Sequence, residues 1–108
     1  MFHRDIRWPN VILSPQDSTK WFLVDWDDAS TSPTRAATHL DPSLHSPAVF
    51  LDNHGAEVDI WSMGKLIADA CTFVPNISET MVDIGTEMVE GLIGTASQAQ
   101  ARIRQSAA

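Results

Sequence analysis

From Asp27 to Asn53 the chain runs DDASTSPTRAATHLDPSLHSPAVFLDN, a quarter of its length in which Pro33, Pro42 and Pro47 block regular helix. The stretch therefore reads as one long ordered loop. Loops of that length in compact domains carry function or are disordered, so regular structure has to come from the two flanks. Upstream, Asn10-Val11-Ile12-Leu13 and Trp21-Phe22-Leu23-Val24 are short apolar, partly β-branched runs separated by the turn-forming residues Ser14 to Lys20. They predict an antiparallel hairpin. Downstream, Ala56 to Cys71 predicts a helix so apolar that it wants neighbours on nearly every side. Met81, Ile84, Met88 and Leu92 recur at spacings of three and four, which predicts a second, amphipathic helix from about Ser78 to Leu92. Thr95 with Gln98 is a capping-box signature for a third, ending near Arg102 and Arg104, whose charges suit a helix C-terminus.

Length and charge narrow the classes of partner. A chain of 108 residues holds one small domain at most, and 44% hydrophobic residues with four Trp suffice for a core. Fourteen acidic against seven basic residues give a net charge of −7, which repels phosphate backbones and anionic lipid. No nucleic acid and no membrane partner is expected. Cys71 stands alone and cannot form an internal disulfide, while no apolar run reaches membrane-span length or follows a basic leader. An intracellular chain, cytoplasmic or nuclear, is the expectation.

The chemistry-bearing residues cluster early. His3-Arg4-Asp5 is followed by Asn10 five residues after the Asp, then by Asp25-Trp26-Asp27 at the end of the second strand. Antiparallel pairing would bring Asn10 and Asp25 to one end of the hairpin. Further on come Ser46-Pro47-Ala48, Asp59-Ile60-Trp61-Ser62-Met63-Gly64 and Thr95-Ala96-Ser97-Gln98-Ala99. In this order the motifs resemble those of the protein kinase superfamily, and the wording HRDIRWPNV, FLVDWDDA and HGAEVDIWSMGKLI is similar to its fungal-specific kinase-like family.

The resemblance implies an α+β fold: the mainly helical C-terminal lobe of a protein-kinase-like domain with a short β-hairpin, its N-terminal lobe absent. Residues 1–13 would be the catalytic loop and strand, 21–48 the metal-binding motif and activation segment, and 56–104 the helical part. It implies transfer of the γ-phosphate of ATP to the Ser/Thr hydroxyl of a protein acceptor, with Mg²⁺ as cofactor. Asp5 would take the hydroxyl proton and Arg7 would meet the transferring phosphate, both catalytic. Asn10, Asp25 and Asp27 would bind metal through oxygen. Arg4 would contact the activation segment, where Ser30, Thr31, Ser32, Thr34 and Thr38 could carry a phosphate. His3, Trp26, Asp59 and Trp61 would give structural support, with Asp59 accepting backbone N–H groups of the opening loop; its loss would cost roughly 3 to 5 kcal/mol.

Departures from the pattern qualify this. Asp27 stands in the place of a Gly, and an Asp-x-Asp arrangement is similar to small-molecule phosphotransferases of the aminoglycoside and choline type, the runner-up class. Ala48 and Ile93 stand where protein kinases carry a Glu and its Arg partner, so an apolar pair is expected in place of the ion pair. As a fragment the chain would be inactive alone, or a catalytically silent binding piece, and one side of the apolar helix would lie exposed, leaving the fold marginally stable. His3, His39, His45 and His54 lack metal-ligand spacing and read as surface or loop histidines; Trp26 and Trp61 read as core.

Overall fold

The two apolar runs do pair. In the computed structural model, which describes residues 1–107, β1 (Val11–Leu13) and β2 (Trp21–Leu23) are antiparallel, Val11 opposite Leu23 and Leu13 opposite Trp21. The Val24 N–H donates to Asn10 O at 2.8 Å, which carries the pairing one step past the strands. Ser14 closes the far end: its N–H donates to Lys20 O at 2.8 Å and its Oγ accepts from Gln16 and Asp17 N–H. In that turn the Thr19 hydroxyl and backbone N–H both donate to Asp17, holding its carboxyl below the usual range.

Three helices follow the loop: α1 (Glu57–Ala70), α2 (Glu79–Val89) and α3 (Ala96–Ala107). Ser78 caps α2 by accepting from Met81 N–H, and Thr95 caps α3 by accepting from Gln98 N–H. The Gln98 side chain reaches back to the N–H of Gly94, one residue before the cap, so the box closes one position earlier than its usual form. Helices α1 and α2 touch backbone to backbone. A Cβ built on Gly64 would lie 2.6 Å from Gly85 O and 2.8 Å from Met88 Cβ, so only glycine fits at that crossing. The architecture is α+β, three helices with one two-stranded hairpin.

The core is divided in two. Ile60, Ile84, Met88, Ile93 and Ala99 form one cluster between the helices; Ala37, Leu40, Val49 and Val58 form the other, between α1 and the loop. Ile93 and Ala48 fall in different clusters, so the expected apolar pair is corrected: each packs with its own surroundings. The long loop is ordered by backbone bonds from Ala37 to Val49 and from Asn53 to Thr34, and by a short 3₁₀ turn, Pro47–Phe50, capped by Ser46. Met63 leaves the side of α1 toward the hairpin open. Beside it an apolar concavity of about 550 Å³ runs under the hairpin, lined by Trp8, Trp21, Phe22, Met63 and Leu66 among others. No helix among the described residues is long and apolar enough to cross a membrane.

Candidate functional site

The site is built on the first turn of α1. Asp59 accepts the backbone N–H of His3 at 2.9 Å and of Arg4 at 2.8 Å, one on each carboxylate oxygen. That grip bends the opening loop sharply enough to put Arg4 in the left-handed region, at φ 71°. The bend turns His3 inward. Its ring is buried, with Nδ1 accepting from the Asp5 N–H at 3.1 Å, so Nε2 carries the proton and donates to Val24 O at 2.8 Å. His3 thereby joins the opening loop to the end of β2.

Asp5 and Asn10 are both buried and locked together. The Asn10 amide Nδ2 donates to the Asp5 carbonyl at 2.9 Å and to Asp5 Oδ2 at 3.3 Å, which leaves the amide Oδ1 with no partner among the described residues. On the other carboxylate oxygen, Oδ1, Arg7 Nε sits at 3.1 Å and His45 Nε2 at 2.7 Å. The Arg7 N–H is not aimed along that line, so the contact is ionic without a hydrogen bond. His45 is fixed from behind by Asp41 O, 2.7 Å from Nδ1. Asp41 in turn receives the Ser43 backbone N–H and hydroxyl, which hold its carboxyl below the usual range.

Asp25 and Asp27 lie just past β2, exposed and without hydrogen-bond partners among the described residues; Asp25 takes a left-handed φ of 59°. With Val24 paired to Asn10, Asp25 leaves the hairpin at the end where Asn10 enters it. Asn10, Asp25 and Asp27 offer only oxygen donors, the type Mg²⁺ accepts, and Mg²⁺ is commonly held by one or two protein groups together with substrate phosphates. The residues present fit that cation. No three His, Cys, Asp or Glu converge as a metal cluster among the described residues.

Arg4 reaches the long loop through main-chain oxygens: Nε donates to Asp28 O at 2.6 Å and Nη1 to Arg35 O at 3.1 Å, with His54 Nε2 at 3.5 Å. Of the hydroxyls expected to carry phosphate, Thr34 is buried and donates to His54 O, whereas Thr31, Ser32 and Thr38 are exposed. All four histidines lie in loops. His3, His45 and His54 are buried hydrogen-bonding residues, and His39 is at the surface, paired with Asp28. One expectation is corrected here. Trp26 is 48% exposed, not core, because the chain has already left the strand; its ring edge packs on His3 at 4.6 Å and its Nε1 donates to Leu23 O. Trp61 is partly buried on α1.

Comparison with known proteins changes the assignment made from motifs. The chain is similar to Crinkler effector protein 8 of Phytophthora infestans, 41% identical over 69 residues, which covers 60% of this chain and 11% of that protein. It spans about a tenth of the length of the curated relative it matches. No family model and no solved structure matches. The expected membership of the protein kinase superfamily, and of its fungal-specific kinase-like family, is therefore corrected: no family model matches, and the similarity found is to part of an effector protein.

Proposed function

We propose that the cluster around Asp5 is a phosphoryl-transfer site, which moves the γ-phosphate of ATP to a hydroxyl group. The observation that carries the reading is the double donation of Asn10 Nδ2 to Asp5, which fixes a proton acceptor and a metal-binding oxygen in one rigid unit. Phosphoryl transfer asks the protein for positioning and charge neutralisation more than for covalent chemistry. Asn10 Oδ1 and the Asp25 carboxylate would hold Mg²⁺, which would supply charge neutralisation for the phosphates. The hydroxyl oxygen forms the new P–O bond, the bond to ADP breaks, and the hydroxyl proton passes to Asp5. Arg7, ionic partner of Asp5 and 42% exposed in its side chain, could also meet the phosphate. Unlike an ammonium, it would do so through a planar fork.

Trp26 stands between Asp25 and Asp27 and supplies the test. Titrating Mg-ATP against its fluorescence should show saturable binding, weakened at least about tenfold, or about 1.4 kcal/mol, in Asp25→Ala and in Asn10→Ala. Equal affinity in all three proteins would sink the reading. Asp27 supports a second acceptor class, because its free carboxylate two residues after Asp25 matches the Asp-x-Asp arrangement of small-molecule phosphotransferases. Labelled phosphate appearing on an aminoglycoside or choline-type alcohol but on no protein would select that class. Binding without transfer to either would leave a silent binding piece.

A further inference from the structure

The His45 ring is wedged between two oxygens, Asp41 O at 2.7 Å from Nδ1 and Asp5 Oδ1 at 2.7 Å from Nε2, and the residue is only 5% exposed. A peptide carbonyl has no proton to give, so Nδ1 must be the donor in the first contact. A neutral imidazole would then face Asp5 with a bare lone pair on Nε2. Lone pair against carboxylate at 2.7 Å is repulsive, so the contact holds only with a proton in the gap. Three charged groups bear on that proton. Asp5 favours it directly, Arg7 opposes it from 3.1 Å beyond the same Oδ1, and Asp41, on the ring's own loop, presents a carboxylate already engaged by Ser43.

We propose that His45 is a positioning residue for Asp5, holding Oδ1 as an imidazolium that donates from both ring nitrogens. The carboxylate is then pinned on one edge, and Oδ2, which accepts from Asn10 Nδ2 at 3.3 Å, is the edge left for a hydroxyl proton. His45 has no hydrogen bond to Asn10 or Asp25, and Asp5 stands between it and Asn10. The link runs from the long loop to the acceptor across forty residues of chain: the turn at Asp41 sets the ring, and the ring sets Asp5. The assignment of Asp5 as proton acceptor rests on the phosphoryl-transfer reading, whereas the proton bridge itself does not.

The test is ring ¹⁵N spectroscopy of the uniformly labelled chain, with His45 identified by the signals lost in His45→Gln. The wild-type ring should show both nitrogens protonated. Asp5→Asn should convert it to the neutral form with the proton on Nδ1, because an amide NH₂ can donate to Nε2. A His45 ring carrying one proton in the wild type, or the same state in both proteins, overturns the proposal. A second arm reads function: His45→Gln keeps a donor to Asp5 Oδ1, so transfer should survive, while His45→Ala should lower turnover with little change in KM. If His45→Ala turns over as His45→Gln does, positioning by His45 is refuted. The spectra contain no nucleotide, so a chain with the bridge but without Mg-ATP binding refutes the phosphoryl-transfer reading alone, and binding without the bridge refutes this proposal alone.

Discussion

One carboxylate at Asp59 accepts from two backbone donors that lie 56 and 55 residues upstream, and the opening segment is otherwise tied to α1 by Trp8 Nε1 donating to Leu66 O at 3.3 Å. Hydrogen bonds to a charged acceptor contribute roughly 1.5 to 3 kcal/mol each, and Asp59 is partly solvated, so Asp59→Ala should lower stability by about 3 kcal/mol. Asp59→Asn keeps one acceptor and should lose about half of that. Urea unfolding midpoints of the two variants check the order, and a near-neutral Asp59→Ala would show that the loop is held from elsewhere. Residues of this kind differ in how far the sequence exposes them. Asp5, Asn10 and Asp25 are related by a hairpin register, which short apolar runs and a turn make legible. His45 and His54 are not, because they are placed by an irregular loop whose path follows no period and whose contacts are all distant in sequence. Trp26, expected in the core, is exposed because the pairing stops at Val24, two residues short of it.

Among the elements, the α1–α2 crossing is the tightest contact and the easiest to break. Adding a methyl at Gly64 drives it to 2.6 Å from the Gly85 carbonyl oxygen, a backbone atom that cannot swing aside. Overpacking of this kind costs typically about 1–3 kcal/mol, against about 1 gained from alanine's better helix propensity. Gly64→Ala should therefore destabilise by up to about 2 kcal/mol, because the clash is with backbone, although on an isolated helix the same change would stabilise. Thermal or urea unfolding of the variant decides the sign, and an increase in stability would mean that the helices separate freely. The helices themselves were legible from their spacing and caps, with ends shifted by a few residues. Their closeness was not, since two glycines on different helices announce nothing until they face each other.

At the scale of the molecule, the surface is large for the mass. The accessible area is 7013 Å² for 11.9 kDa, where a folded monomer of that size would expose about 5,900 Å². The excess includes Trp21 at 61%, Phe22 at 53% and Phe73 at 63% exposure, which flank the open face of α1. Apolar surface gathered in one region favours association even though the net charge of −7 opposes it. Phe22→Lys should leave the helical circular-dichroism signal unchanged while lowering the apparent mass in concentrated solution and the binding of an apolar dye; unchanged association would clear the hairpin face of any part in it. The divided interior has a last consequence. Val58 and Ile60 stand two residues apart on α1 and serve different clusters, so the helix is a party wall between two small rooms. Neither room stands once that wall is down, and a chain with two separate interiors is thereby bound to come apart as one.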